Sequence, residues 1–292
     1  MSKTRVYQIA NELKMSNEDV LAKLKELEIR HNITCEKDEL KSEILKYKRT
    51  FIKKLIVFIP VFFAVYALAV QATMMNNPLS HTQSWSWESL LGLVFNWWSF
   101  LFLPIGFALF ATLVAIQEKK AGNYRVLRMQ NKSIMKIWFY KELGMAFYSL
   151  MSHIVLVVVI IIVGVVSGNG KIPFFEISVA SLVCWFTSLT LIPIQLWAAT
   201  WKGMPFSMGI GFIGMIIGVL SAPKSFWIIV PWSWATRLMC PLIGVHPNGA
   251  FLTKEDLLMD SSVIPVGIFV SLVFFIVVTV LTAKWFERRE IQ

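Results

Sequence analysis

The chain has 292 residues, of which 56% are hydrophobic and 14% aromatic, and its mean hydropathy is +0.62. This composition excludes an ordinary soluble domain and indicates an integral membrane protein. The net charge of +10 would suit nucleic-acid binding only if the basic residues shared a soluble face, and most of this chain offers none, so no nucleic-acid partner is expected.

The first 36 residues predict a small helical module. They are highly charged, unlike a secretory signal, and Ser16 is placed to cap a helix whose apolar face carries Leu21 and Leu24. The stretch RVYQIANELKMSNEDVLAKLKELEI, residues 5–29, resembles the N-terminal module of bacterial translation initiation factor two. A role in translation is not expected, because a short module tethered to a membrane domain cannot replace a GTPase.

Six apolar runs follow, with lengths near the roughly 20 helical residues that cross a bilayer core about 30 Å thick. They cover residues 55–74, 93–116, 143–167, 177–199, 205–220 and 263–283. The β-branched run 154–166 would suit a buried strand in water, but at this length it predicts a lipid-facing helix. We therefore expect an all-α membrane domain of six transmembrane helices over residues 38–290.

The basic residues predict the orientation of these helices. On this map 24 of the 28 Lys and Arg residues fall before the first helix, between the second and third, in the turn after the fourth, and after the sixth. Positive residues mark the cytoplasmic face, so both termini are expected in the cytoplasm of a multi-pass cell-membrane protein. The net charge then reflects membrane topology.

The longest inner loop, residues 117–142, has the sequence QEKKAGNYRVLRMQNKSIMKIWFYKE. It mixes basic residues with apolar ones in a pattern that suits short amphipathic helices. Two interpretations remain open: the loop docks a cytoplasmic partner, or it rests on anionic lipid headgroups.

Asp, Glu, Lys and Arg are absent from the interiors of the six predicted spans. Ion-coupled carriers place such groups near mid-membrane, so this absence argues against ion coupling. His153 could be a relay or a ligand, although a hydrogen bond to a neighbouring helix is the more common role. Gln71, Asn96 and Gln195 could line a substrate path or join helices by hydrogen bonds.

Other motifs give little sign of chemistry within the chain. GVVSGNGK, residues 164–171, lacks both the first glycine and the Ser or Thr of a phosphate loop, so we interpret it as a turn between helices. Cys35, Cys184 and Cys240 are widely separated and predict neither a zinc site nor a disulfide. Gly214 and Gly218 form a GxxxG pair, which suits close helix packing inside the bundle or at a subunit interface.

Several segments resemble ABC-2 type permeases. They are LKSEILKYKRTFIKKLIVFIPVFF (40–63), NWW (96–98), LPIGFALFATLVAIQEKKAGNYRVL (103–127), IVPWSWATRL (229–238) and GVHPNG (244–249). Their sequences resemble that of the E-type permease subunit in the mutacin, epidermin and nukacin immunity systems, which give lantibiotic producers self-protection. The likeness covers residues 38–290.

This resemblance implies a permease subunit of a bacterial ABC transporter that exports a lantibiotic or similar peptide from the membrane. It implies ABC ATPase subunits, a second permease subunit, the peptide and membrane lipid as partners, with ATP and Mg²⁺ bound by the ATPases and no cofactor or metal in this chain. The coupling loop would contain Gln117, Glu118, Lys119, Lys120, Gly122, Tyr124, Arg125 and Arg128. Outer contacts with the peptide would come from Trp227, Trp232, Trp234 and His246.

A second hypothesis is a membrane receptor or scaffold that sequesters the peptide without transporting it. An intramembrane enzyme is a distant third hypothesis, because no paired carboxylates, histidine cluster or Ser–His pair lies at a convincing depth.

Overall fold

The computed structural model describes residues 40–48, 50–75, 85–122, 124 and 133–289, together with Asp19 and Lys23. Its contacts divide the chain into two units, Met1–Lys46 and Tyr47–Gln292. In the first unit residues 40–46 are helical, and Lys46 Nζ lies 2.6 Å from Glu43 Oε1. Apart from Asp19 and Lys23, the predicted module over residues 1–36 lies outside the described residues.

The described part of the second unit is nearly all helical. Its α-helices are α1 (Phe51–Met75), α2 (Trp87–Trp97), α3 (Leu103–Lys120), α4 (Ile134–Ser167), α5 (Phe174–Ser188), α6 (Leu191–Lys202), α7 (Met204–Ser221), α8 (Trp234–Ile243) and α9 (Val263–Arg288). A π-helical segment, Trp98–Phe102, joins α2 to α3. Two-residue strands, β1 (Trp85–Ser86) and β2 (Gly168–Asn169), pair in parallel.

Among the described residues, five helical segments are long and apolar enough to cross a membrane, and a sixth is obtained when the bent pair α5–α6 is counted as one span. The predicted all-α, six-helix class is thereby confirmed. The predicted bounds were too short at several ends. Helix α1 begins at Phe51 rather than at 55, the second span begins at Trp87 rather than at 93, and α4 begins at Ile134 rather than at 143.

Prolines explain two local departures from a regular helix. Pro104 lies at the start of α3, where its missing N–H and its ring disrupt the turn before it, and the chain there widens into the π-helical segment. Pro60 lies inside α1 and cannot donate to the carbonyl of Ile56. Ser152 Oγ of α4 donates to that carbonyl at 3.2 Å, so the neighbouring helix satisfies the acceptor in a region without water.

The predicted fourth span is two helices that meet at an angle of 42°. Helix α5 ends at Ser188 and α6 begins at Leu191, two residues before Pro193. Since Pro193 has no N–H to donate to the carbonyl of Leu189, that carbonyl accepts from the backbone N–H of Ile192 at 3.0 Å. The missing N–H of Pro193 therefore explains why the helix bends at this point.

Small residues line the buried face of α7, namely Ser207, Gly211, Gly214, Gly218 and Ser221. A Cβ atom at Gly211 would lie 2.8 Å from Ala108 Cβ of α3. At Gly214 it would lie 2.3 Å from the indole of Trp232, and at Gly218 2.7 Å from the Trp232 carbonyl oxygen. The GxxxG pair thus packs inside the chain, as one interpretation held, but it receives the Trp232 ring of the outer segment where a partner helix was expected.

The segment predicted to lie outside the membrane, residues 221–262 and here named the outer segment, folds into short helices over the bundle: Trp227–Ile229, Pro231–Ser233, α8 and Leu257–Met259. Arg237 of α8 donates to the carbonyl of Leu258 at 2.8 Å, and its guanidinium lies 5.9 Å from the Trp227 ring. The segment 164–171 at the end of α4 contains β2 and then Gly170 with a φ of 104°, in keeping with a turn.

Candidate functional site

A buried ion pair joins α3 and α4 at the ends that flank the predicted cytoplasmic loop, here named their inner ends. Glu118 of α3 is 5% exposed and Lys141 of α4 is 0% exposed, and the ammonium group of Lys141 donates to Glu118 Oε1. A charge this far from water is tolerated only when it is paired and hydrogen-bonded. The two helices that flank the inner loop are therefore fixed to each other beside that loop.

A second polar contact joins α4 to the last helix. Thr279 of α9 donates to Glu142 Oε2 at 2.6 Å, and Glu142 is 0% exposed. Four residues earlier on α4, the indole N–H of Trp138 donates to Thr282 Oγ1 at 3.1 Å. The Trp138 ring also lies 4.7 Å from the ring of Phe286, measured between centroids. Helix α4 therefore connects to α3 on one side and to α9 on the other.

These contacts place buried charged groups directly beside the predicted third span. The prediction began the third span at residue 143 and assigned Lys141 and Glu142 to a loop. In the structure both residues lie within α4, close to its inner end, and both are buried. Helix α4 is therefore longer than the predicted span at its inner end, and the expectation of no ion coupling stays a prediction.

The predicted coupling residues fall into two groups. Lys119, Lys120 and Gly122 are exposed at the end of α3, and Gly122 has a φ of 109°. Gln117 is half-buried, whereas Glu118 and Tyr124 are buried. Arg125 and Arg128 lie outside the described residues.

Burial corrects the expectation that Glu118 and Tyr124 face an ATPase. The ring of Tyr124 lies 5.0 Å from that of Phe286, and its hydroxyl is 3.4 Å from Thr200 Oγ1. Tyr124 also has a φ of 65°, which is uncommon for a residue other than glycine. Glu118 and Tyr124 therefore act inside the bundle, and the coupling role of the exposed residues stays a prediction.

The polar residues of the spans form hydrogen bonds between helices. His153 Nε2 accepts from the indole N–H of Trp98 at 3.1 Å, and His153 Nδ1 lies 2.9 Å from the carbonyl oxygen of Ser149. The Gln195 amide lies 2.9 Å from Ser207 Oγ, which joins α6 to α7. Both side chains therefore make the hydrogen bonds of the structural interpretation, while a relay or ligand role of His153 and a substrate-path role of Gln195 stay untested hypotheses. Asn96 is 7% exposed, and the side chain of Gln71 lies outside the described residues.

The outer segment presents a different set of side chains from the predicted one. Trp227 and Trp234 are 8% and 1% exposed, so these rings belong to its core, which corrects the expectation of direct peptide contact at both. Trp232 is half-buried against α7, and His246 is half-buried with its Nδ1 accepting from the backbone N–H of Asn248 at 3.1 Å. The exposed large apolar side chains of this segment are Phe226, Ile229, Phe251 and Leu257. Peptide contact at any outer residue stays a prediction.

Comparison with known proteins supports this architecture. Comparisons with curated proteins and with solved structures give no match. Residues 1–34 are similar to the N-terminal region of translation initiation factor IF-2, a short likeness that carries no function for the chain. Residues 39–218 match the model of the ABC-2 family transporter proteins, and this stretch runs from before α1 to the last turns of α7. The chain belongs to the ABC-2 family transporter proteins and is a multi-pass transport permease that works with ABC ATPase subunits.

Proposed function

We propose that this permease exports a lantibiotic or similar antimicrobial peptide from the membrane to the outside and so protects a producing bacterium. The family supports a transport role, and the finer assignment rests on the likeness of residues 96–127 to the immunity permeases. The observation that carries the proposal is the buried Glu118–Lys141 pair, because it links both helices that leave the basic inner loop.

The proposed mechanism is mechanical. ATP and Mg²⁺ bind to partner ATPase subunits, and closure of the ATPases presses on the exposed end of α3 around Lys120. Because Lys141 holds Glu118 in a dry environment, displacement of α3 also displaces α4, and the contact between Glu142 and Thr279 carries the movement to α9. This chain would need no cofactor, metal or covalent chemistry, and a second permease subunit would complete the membrane part.

Both termini are proposed to lie in the cytoplasm, since basic residues collect at one end of the helices. The outer segment then faces the outer leaflet, where a membrane-active peptide resides. The side chains of Phe226, Ile229, Phe251 and Leu257 are 51%, 75%, 57% and 90% exposed. These apolar surfaces suit an amphiphilic peptide, whose apolar side chains lose contact with water when they pack there.

Charge reversal in the inner loop tests this proposal. We expect Lys120→Glu combined with Arg125→Glu and Arg128→Glu to abolish recovery of the ATPase in a pull-down and to remove peptide tolerance of the host. The matched control is Lys171→Glu combined with Lys224→Glu and Lys254→Glu, which reverses three charges on the outer side and should keep ATPase recovery.

Two outcomes would overturn parts of the proposal. If tolerance persists in the inner variant while the ATPase is lost, the chain sequesters the peptide as a receptor and does not export it. If deletion of the gene leaves the tolerance of a producer unchanged, peptide protection is the wrong substrate assignment, although the transport role of the family would stand.

A further inference from the structure

A polar cavity of about 430 Å³ opens at the inner end of the bundle. The last turns of α3 and α6, the start of α7 and the residue after α9 surround it. Thr200 and Tyr124 contribute hydroxyl groups to its wall, and Gly203 and Met204 contribute the start of α7. The predicted coupling loop begins at its rim, but the cavity itself has no part in the mechanism proposed above.

Three cationic side chains line the cavity, and none of its described lining residues is acidic. Lys119, Lys202 and Arg289 come from three different elements, so the fold brings them together from distant parts of the sequence. Arg289 is held in place because its guanidinium donates to the carbonyl of Thr200 at 2.6 Å and lies 5.3 Å from the Trp285 ring. Such a concentration of positive charge favours an anion with several acceptor oxygens.

The first turn of α7 adds to this preference. Its N-cap is Gly203, which has no side chain to accept from the free backbone N–H groups, and Met204 and Gly203 both face the cavity. The N-terminus of a helix carries a partial positive charge and favours a phosphate nearby.

The rim of the cavity is apolar and continues into the lipid-facing surface. Trp201 and Met204 are 43% and 48% exposed, and the Lys202 ammonium lies 4.5 Å from the Trp201 ring. Trp197 and Phe206 pack against Trp201, and Trp285 packs against Trp197, which gives the aromatic cluster typical of a membrane–water interface. Farther along α7 the exposed side chains are Phe212, Ile213, Ile216, Ile217 and Leu220. A ligand here meets cations at one end and lipid-facing side chains at the other.

We propose that this cavity binds the phosphate headgroup of an anionic phospholipid of the cytoplasmic leaflet. Lys202 and Arg289 contact the phosphate, Lys119 adds positive charge, and the acyl chains lie against the exposed face of α7. The apolar rim favours a lipid over a free phosphate, which has no apolar part to place against Trp201 and Met204, and the continuous apolar face of α7 favours acyl chains over an acidic segment of the ATPase.

Lipid binding can be measured by native mass spectrometry of the purified full chain in neutral detergent, titrated with dioleoylphosphatidylglycerol and, separately, with dioleoylphosphatidylcholine. The test variant is Lys202→Gln with Arg289→Gln. The matched control is Lys284→Gln with Arg288→Gln, which removes the same two charges from exposed positions on the last turns of α9, outside the cavity lining. The single variant Lys202→Gln repeats the test without disturbing the hydrogen bond of Arg289, should the double variant fold poorly.

We expect the wild-type chain to retain phosphatidylglycerol in preference to phosphatidylcholine. Each basic side chain near an anionic lipid strengthens attachment about fivefold, so the test variant should bind phosphatidylglycerol at least ~10-fold more weakly and the control variant should be nearly unchanged. Equal weakening in both variants would show general surface attraction and overturn the site.

Two further results would also overturn the proposal. Millimolar inorganic phosphate that displaces the lipid completely would show that the acyl chains add nothing. Loss of ATPase recovery in the test variant alone, without any change in lipid binding, would assign the cavity to the partner protein. Lipid binding is measured on the chain by itself, so its outcome is independent of whether the transported molecule is a peptide.

Discussion

Replacement of Lys141 by methionine tests the central ion pair. Methionine has similar length and no charge, so Lys141→Met leaves the Glu118 carboxylate in a buried environment without its ammonium partner. Breaking a buried ion pair by removing one partner typically costs about 3–5 kcal/mol. We expect a destabilisation of this size, and we expect Glu118→Gln to cost less, since the remaining ammonium group sits on a longer and more flexible side chain.

The cost can be read as a change in the melting temperature of the purified protein in detergent, followed by tryptophan fluorescence. A domain of this size loses about 2–4 °C per kcal/mol, so Lys141→Met should melt about 6–20 °C lower. The double variant Glu118→Gln with Lys141→Met leaves no charge behind and should recover much of the loss. The exposed substitution Lys120→Met serves as a control for the loss of a lysine and should change the melting temperature little.

The reasoning is refuted if Lys141→Met melts within about 2 °C of the wild type, or if the double variant is as unstable as the sum of the single ones. Either result would mean that water reaches the two groups or that the pair contributes no coupling between α3 and α4. The proposed route of force from the inner loop would then lose its physical basis.

Three further predictions follow from the packing of the helices. Gly214→Ala should cost about 1–3 kcal/mol in thermal unfolding, because its methyl group meets the Trp232 indole, whereas Gly209→Ala, with open space around it, should cost nothing measurable. Ser152→Ala should lower the free energy of unfolding by about 1 kcal/mol. In a Pro60→Ala background the same substitution should cost little, because residue 60 then has an N–H that can donate to the Ile56 carbonyl. Equal costs in both backgrounds would contradict the hydrogen bond from Ser152 to that carbonyl. Ile229→Asp with Leu257→Asp should reduce peptide tolerance about tenfold at unchanged melting temperature, and unchanged tolerance would exclude this outer surface as the peptide contact.

Much of the membrane fold could be predicted because each helix is determined by residues that are close together in the sequence. Long apolar runs between charged segments define the helices, and no alternative structure satisfies their backbone groups in lipid. The break before Pro193 could also have been predicted from the proline itself, although hydropathy alone merged α5 and α6 into one span. The ends of the helices were harder to predict, because a search for charge-free runs must stop at the first ionised residue.

The site shows why that rule fails. Lys141 and Glu142 were assigned to a loop because an isolated charge does not belong in a membrane helix, but each has a partner that lies far away in the sequence. Glu118 is 23 residues from Lys141, and Thr279 is 137 residues from Glu142. One signal could have suggested the first pair: opposite charges stand at the facing ends of two helices joined by a loop. Nothing local indicated Thr279.

The outer segment illustrates the same limit. Tryptophans near a membrane surface commonly anchor the protein or contact ligands, and the sequence offered Trp227, Trp232 and Trp234 for either role. Which rings are buried depends on the glycines of α7 and on Arg237, whose partner Leu258 lies 21 residues away. These long-range contacts bury the rings of Trp227 and Trp234 in the core of the outer segment, which the local sequence could not indicate.

The two helices that leave the inner loop differ in stiffness. Helix α4 runs for 34 residues without a proline, a length of about 51 Å, which exceeds the bilayer core. The α2–α3 span contains a π-helical segment and Pro104 at its middle, where it can flex. A displacement applied at the loop would therefore affect the two helices differently. Helix α4 would move as one rigid body, so that β2 and the outer surface move with it. Helix α3 would bend at the π-helical segment, so that less of the movement reaches α2.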